Sequence, residues 1–208
     1  HWRQLDFSHL FLTRIGPDGE LVFRDFFQRH KIAHLPQSLV GNGRTPSIDI
    51  TFLPDGQIYM DNFVEGVLAD FQLTPAEEAV MARAERVHAV LVDSVAREMH
   101  RLAKKGVGQR PTWGGPSQLG GPMRSGLSKR PFTSADFLDF RHFTPVRFAE
   151  TLPLLDLGFI GWPGALDDPL LPQLRQIVFD LGKLLVVTLG ARVVWVWDGR
   201  SAPQELFF

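Results

Sequence analysis

Three acidic side chains are the residues whose types and spacing point most directly to chemistry. Asp49 and Asp61 lie on either side of a Pro-Asp-Gly turn, residues 54–56, and Glu65 follows shortly after. A three-residue hairpin loop at this turn brings the apolar residues of both flanks onto one face, and the same register sets Asp49 opposite Asp61. Facing carboxylates repel each other unless a cation compensates their charge. These three residues are therefore candidate metal ligands.

A metal site at this position would define one class of function. Carboxylate oxygens suit a hard divalent cation, and a cation held there could serve phosphoryl chemistry. Asp49, Asp61 and Glu65 thus support the hypothesis of a metal-dependent phosphodiesterase or nuclease with a divalent metal as its cofactor. The other interpretation is a solvated hairpin face on which each Asp only ends or solubilises a strand, and it needs no metal.

A basic segment rich in glycine and proline, residues 104–131, is the most unusual feature of the sequence. Its seven glycines and four prolines exclude regular structure through most of its length. Residues 101–134 contain seven bases and no acid, so the remainder of the chain is strongly acidic although the net charge is −1. Such an asymmetry predicts an acidic or anionic partner for this segment.

The predicted partner-binding residues are the cations of this segment and its indole: Lys104, Lys105, Arg110, Trp113, Arg124, Lys129 and Arg130. The cations can bind carboxylates or phosphates, and the indole can stack on a nucleobase. A protein partner is favoured, nucleic acid is the alternative, and a solubilising connection without a partner is the third interpretation. The main functional hypothesis is a non-enzymatic binding module of the bacterial adaptor or toxin-neutralising type, which uses no cofactor.

Established catalytic motifs are incomplete in this sequence. Residues 115–120 miss the G-x-S-x-G spacing of a nucleophile elbow by one residue. Residues 41–44 lack the G-K-[S/T] ending of a P-loop, and residues 105–108 follow a predicted helix where a dinucleotide fingerprint would precede one. Both glycine-containing stretches are interpreted as turns.

The stretch His142-Phe143-Thr144-Pro145-Val146-Arg147 is similar to the H-x-T-x-x-R element of two-histidine phosphoesterases. That family places two such elements on paired strands, so that two histidines meet on a phosphodiester. The nearest second candidate, residues 9–12, has Phe11 where the hydroxyl belongs. Because Pro145 also fits poorly in a central strand, His142 is interpreted as a surface or capping residue.

The elements that must position these residues begin with two hairpins. The Pro-Asp-Gly turns at residues 17–19 and 54–56 are typical of three-residue hairpin loops, because Pro sets φ and Gly accepts the left-handed conformation. The first hairpin would run over residues 5–14 and 20–26. Together the two hairpins predict a four-stranded antiparallel sheet.

A long helix over residues 75–104 is predicted to cover that sheet. Thr74 is its N-cap, Pro75 is its first residue, and Glu77 completes a capping box. Apolar residues recur at helical spacing up to Leu102, and Gly106 can take the left-handed conformation that ends the helix.

The C-terminal part is predicted to hold two further helices and a strand. Thr133 would cap a short helix through Phe140, and a second helix would begin at Asp168-Pro169 and end at Gly190. Residues 192–197 are apolar on both faces, which is typical of an internal strand. The predicted fold class is α+β, with parts 1–103, 104–131 and 132–208 packed into one domain.

Composition excludes several function classes. The 208 residues are 44% hydrophobic and 22% charged, as in ordinary globular proteins, and contain no cysteine. Disulfides, thiolate metal sites and a cysteine nucleophile are therefore excluded, and a reducing compartment such as the cytoplasm is favoured. The longest aliphatic run, residues 184–187, is too short to cross a bilayer. Because the sequence starts at His1, a preceding signal or anchor stays open.

Overall fold

A computed structural model describes residues 10–54, 58–106, 131–138, 143–162, 165, 167–189, 193–199 and 204–207. The chain divides into two compact units, His1–Gln72 and Leu73–Phe208. This division lies 31 residues before the predicted boundary at residue 103, which falls inside a helix.

The first unit contains one helix and two pairs of strands. Strand β1 (Leu10–Phe11) pairs in parallel with β2 (Ala33–His34), and helix α1 (Glu20–His30) connects them. A 3-10 turn at Pro36–Ser38 follows β2. Strands β3 (Ser47–Phe52) and β4 (Ile58–Val64) form an antiparallel hairpin, which a second 3-10 turn at Gly66–Leu68 follows.

The predicted first hairpin is wrong, because the residues of its second strand form α1. Asp18, in the first Pro-Asp-Gly sequence, accepts hydrogen bonds from the Thr45 backbone N–H at 2.8 Å and the Thr45 hydroxyl at 2.7 Å. The turn therefore opens a helix and holds a distant loop. Phe23 and Phe27 recur at helical spacing, and their ring centroids lie 6.0 Å apart.

The register of the second hairpin is confirmed. The observed pairs are Asp49 with Asp61, Ile50 with Met60, Thr51 with Tyr59, and Phe52 with Ile58. The hairpin forms a sheet of two strands only, in place of the predicted four.

The second unit is built on a six-stranded mixed sheet with the order β10-β9-β8-β7-β6-β5. Its strands are β5 (Arg86–Val90), β6 (Phe132–Asp136), β7 (Leu157–Gly161), β8 (Leu184–Leu189), β9 (Val193–Asp198) and β10 (Gln204–Phe207). Strands β5 to β8 are parallel, whereas β9 is antiparallel to both of its neighbours. The helices are α2 (Pro75–Arg83), α3 (Asp93–Lys104), α4 (Pro145–Thr151) and α5 (Leu170–Leu181).

The core of this unit lies between one face of the sheet and helices α3 to α5. Sheet residues such as Ala135, Ile160 and Leu185 are fully buried beside Phe148 of α4 and Leu174 of α5. Apolar burial of this extent is the main stabilising contribution to such a unit. It holds the strand ends in fixed positions.

The predicted long helix is wrong, although its capping box at Thr74 and Glu77 is confirmed. Residues 75–104 form two helices with β5 between them. Residues 86–90 alternate between exposed and half-buried, and they pair with β6, which lies far along the chain. The spacing of their apolar positions fits both a helix and a strand. The pairing with β6 is what makes these residues a strand.

Two C-terminal predictions are also corrected and one is confirmed. Residues 132–136 form β6 where a helix was predicted. Helix α5 ends at Gly182, and β8 follows it, because Gly182 takes the left-handed cap. The predicted internal strand is confirmed, since β9 lies between β8 and β10.

The fold class is therefore α/β with a central mixed sheet, and the predicted α+β class with an N-terminal hairpin sheet under a long helix is wrong. Across the described residues, none of the helices combines the length and apolar content needed to cross a membrane.

Candidate functional site

The carboxyl ends of four parallel strands define the candidate functional site. Strands β5, β6, β7 and β8 all end at the same edge of the sheet. In open α/β sheets, ligands bind in the crevice outside the carboxyl ends of the strands. The residues that follow these strand ends are therefore the place to look for binding chemistry.

An ion pair joins the segments that follow β5 and β6. Asp93 begins α3, three residues after β5, and Arg147 lies on α4. Arg147 Nη2 donates to Asp93 Oδ1 at 2.7 Å, and both side chains are about half exposed. The Arg147 guanidinium also lies over the Phe143 ring, 5.0 Å from its centroid. The pair places a carboxylate and a planar cation at the edge of the sheet, within reach of solvent.

A second carboxylate ends β6 itself. Asp136 is half-buried, and its Oδ1 accepts a hydrogen bond from the Leu138 backbone N–H at 2.7 Å. This bond closes an Asx turn, in which Leu138 adopts a left-handed φ of 58°. The Leu138 carbonyl in turn accepts from the Gly161 N–H at 2.6 Å. Asp136 is thereby fixed at the strand end, and among the described residues no donor reaches its second oxygen.

The ends of β7 and β8 complete this edge. Trp162 follows β7, is buried, and donates its backbone N–H to the Thr188 carbonyl at 2.8 Å. The Thr188 hydroxyl donates to the Ile160 carbonyl at 3.2 Å. An aromatic and a hydroxyl residue thus adjoin the two carboxylates along the strand order.

These groups suit a neutral ligand with several hydroxyls. Carboxylates accept hydrogen bonds from hydroxyl groups, and a guanidinium donates them in a fixed plane. Among the described residues, no group of three or more His, Cys, Asp and Glu is arranged to hold a metal ion. The described part of this edge therefore supplies hydrogen bonds and charge, without a metal-binding set.

The predicted metal ligands lie in the first unit. Asp49 and Asp61 face each other across β3 and β4, and both are exposed. Asp49 accepts from the Asn62 amide at 3.0 Å, and Asp61 accepts from the Asn62 backbone N–H at 2.8 Å. Asn62 thus bridges the two carboxylates, and Glu65 forms no described three-residue cluster with them.

The predicted partner-binding segment is described only at its start. Lys104 is exposed at the end of α3, and Lys105 Nζ donates to Glu78 Oε1 at 3.2 Å. The remaining predicted residues lie outside the described residues: Arg110, Trp113, Arg124, Lys129 and Arg130. Binding by this segment stays a prediction.

The phosphoesterase-like stretch has another structure. His142 lies outside the described residues, whereas Thr144 is the N-cap of α4 and accepts from the Arg147 N–H at 3.3 Å. A helix start takes the place of the strand that the resemblance required. Sequence reasoning missed Asp136 as a site residue because it interpreted residues 133–140 as a helix.

Comparison with known proteins identifies the fold. No protein-family model and no curated protein sequence matches the chain. Among solved structures, a ribokinase from Giardia lamblia is 14% identical with a TM-score of 0.65, and the match covers 97% of this chain and 60% of the ribokinase. A microbiome-derived acarbose kinase is 15% identical with a TM-score of 0.64, and the match covers 99% of this chain and 60% of that kinase.

A third similar structure is a ribokinase from Cryptococcus neoformans in complex with ADP. It is 14% identical with a TM-score of 0.59, and the match covers 95% of this chain and 61% of that ribokinase. The chain thus has the α/β fold of ribokinase-type kinases and spans about three fifths of the length of the kinases that it matches.

Two functional predictions are overturned by this fold. The non-enzymatic binding module of adaptor or toxin-neutralising type is wrong, because the structurally similar proteins are kinases. The metal-dependent phosphodiesterase or nuclease built on Asp49, Asp61 and Glu65 is wrong for the same reason. The expected absence of a cofactor also conflicts with the ADP held by one of these kinases.

Proposed function

We propose that this chain is the acceptor-binding part of a small-molecule kinase, which transfers a phosphoryl group from a nucleoside triphosphate to a hydroxyl of a sugar or nucleoside. The single observation that carries the proposal is the fold match over nearly the whole chain to sugar kinases. Because fold alone does not define function, the assignment of the site rests on its chemistry.

The acceptor site is assigned to the carboxyl edge of the sheet. Asp93 follows β5 and Asp136 ends the neighbouring strand β6, where it pairs directly with Val90. Each carboxylate has one oxygen in a described hydrogen bond, which leaves acceptor capacity for ligand hydroxyls. Arg147 holds Asp93 in place and can donate to a ring or hydroxyl oxygen of the acceptor.

The phosphoryl donor is assigned from a solved kinase that holds ADP. In the transfer, the acceptor hydroxyl releases its proton to the solvent, its oxygen bonds to the terminal phosphorus, and the bond from that phosphorus to the ADP oxygen breaks, so that ADP leaves. Asp93 and Asp136 are carboxylates, which repel a triphosphate, and the Arg147 guanidinium is already paired with Asp93. These residues therefore suit the uncharged acceptor.

The test measures acceptor-dependent ADP formation by the full chain, with ATP and a panel of ribose, an adenine nucleoside and an oligosaccharide. Acceptor binding is measured separately by calorimetry, which needs no turnover. Asp93→Asn and Asp136→Asn are each expected to weaken acceptor binding about tenfold, because a charged acceptor of hydrogen bonds is lost.

Asp180→Asn is the matched control. Asp180 is an exposed carboxylate of the same unit, on α5, and it accepts from Gln176 at 2.7 Å. Its substitution should leave acceptor binding unchanged. The proposal fails if none of the acceptors binds and none raises ADP formation. It also fails if the control substitution weakens binding as much as the two site variants.

A further inference from the structure

The first unit carries a groove that the kinase proposal does not use. Its volume is about 410 Å³, which is within the range of small-molecule sites. The lining residues come from α1, β2 and the following loop: Glu20, Arg24, His34, Pro36, Leu39, Val40 and Gly41. Helix, strand and loop therefore each supply one wall.

One wall of the groove presents opposite charges side by side. Glu20 and Arg24 are one helical turn apart, and Arg24 Nε donates to Glu20 Oε1 at 2.7 Å. The side chains remain 56% exposed for Arg24 and 42% exposed for Glu20. An exposed ion pair of this kind is weak, so either partner can exchange it for a ligand group of the right sign.

The rest of the groove is apolar and held in place. Pro36, Leu39 and Val40 are the apolar lining residues. The His34 ring packs on the buried Phe27 with ring centroids 4.7 Å apart, which fixes the imidazole at the groove. The Ile15 N–H donates to the Ser38 carbonyl at 2.8 Å, and the Val40 N–H donates to the Ile15 carbonyl at 3.0 Å, so this loop is anchored on both sides of Leu39.

We propose that this groove binds a free apolar α-amino acid of the size of leucine. Its carboxylate would pair with Arg24, its ammonium group with Glu20, and its side chain would lie on Leu39 and Val40. A purely anionic ligand would face Glu20 and a purely cationic ligand would face Arg24, so only a zwitterion gains at both ends. The proposal concerns the first unit alone and does not depend on kinase activity.

The experiment titrates the full chain with L-leucine by calorimetry and compares three analogues. Leucinamide lacks the carboxylate, 4-methylpentanoate lacks the ammonium group, and glycine lacks the apolar side chain. Leucine is expected to bind saturably, and each analogue is expected to bind at least about threefold more weakly. The proposal is overturned if leucine does not bind, or if any analogue binds as tightly.

Variants on one helix provide a matched control. Arg24→Gln and Glu20→Gln should each lower leucine affinity by up to about fivefold, since one exposed charge contact is lost. Arg29 and Asp25 form the same type of pair on α1 and do not line the groove. Arg29→Gln and Asp25→Asn should leave the affinity unchanged, and an equal loss in these variants would contradict the proposal. The analogue series uses the unsubstituted chain, so it tests the proposal even if a substitution unfolds α1.

Discussion

The carboxylate of Glu98 on α3 accepts a hydrogen bond from the backbone N–H of Leu73 at 2.8 Å. Glu98 is only 3% exposed, and Arg101 one turn later donates to the same carboxylate. Arg101 also donates to Glu78 of α2 at 2.6 Å. A buried carboxylate thus joins the first residue of the second unit to α3, and its arginine partner joins α3 to α2.

Glu98→Ala is expected to lower the free energy of unfolding by about 2 kcal/mol, because it removes a charged acceptor and leaves the buried Leu73 N–H without its bond. Urea denaturation followed by tryptophan fluorescence measures this change. Glu98→Gln keeps an oxygen for Leu73 and should lose clearly less. Equal losses in the two variants would show that the bond to Leu73 contributes nothing.

Stability should depend on pH through Glu78. The hydrogen bond from Arg101, followed by the bond from Lys105, holds the pKa of Glu78 below its ordinary value of 4.5. Because the folded pKa is the lower one, the stabilisation is present above pH 4.5 and is lost as the pH falls through the folded pKa. Denaturation at a series of pH values should show this decline, and Glu78→Gln should reduce it. Lys105→Gln should have a smaller effect than Arg101→Gln.

Gly66 is expected to be essential at the base of the β3–β4 hairpin. It has a φ of +51°, and an added Cβ would lie 2.3 Å from the Arg44 carbonyl oxygen, which accepts the Val67 N–H at 2.9 Å. Gly66→Ala should cost more than about 1–2 kcal/mol, the cost of the left-handed conformation alone. Hydrogen exchange of the Val67 amide measures the loss. Gly41→Ala meets open space and should leave that exchange unchanged.

Phe148 is the expected anchor of the helix that carries Arg147. Its side chain is fully buried and lies edge-on to Phe137, with ring centroids 5.0 Å apart. Phe148→Ala should cost about 3–5 kcal/mol, through lost burial and the cavity left behind. Chemical denaturation provides the measurement. Val146 on the same helix is 67% exposed, and Val146→Ala should change stability by less than about 0.5 kcal/mol. A comparable loss at both positions would contradict this account of the core.

Local chemistry predicted part of the fold. The hairpin register around Asp49 and Asp61 follows from turn type and alternation, and the cap at Thr74 follows from side-chain hydrogen bonding. Both depend on residues close in sequence. The internal strand β9 was predictable because both of its faces are apolar.

Long-range pairing explains what could not be predicted. Strand β5 was interpreted as helix because Val87 and Leu91 continue a helical spacing, and only its pairing with β6 makes it a strand. Asp18 was interpreted as a hairpin residue, whereas its partner Thr45 lies far along the chain. The candidate site depends on β5, β6 and their order in the sheet, so Asp93 and Asp136 could not be brought together from sequence.

The parallel arrangement of β5 and β6 has a consequence for how this chain can evolve. Helix α3 starts at the carboxyl edge with Asp93 and ends at Lys104, and β6 starts at Phe132, at the opposite edge of the sheet. Insertions or deletions within residues 107–130 therefore join the fold away from Asp93, Asp136 and Arg147. The length and charge of that connection can therefore change during evolution while the residues at the carboxyl edge stay the same.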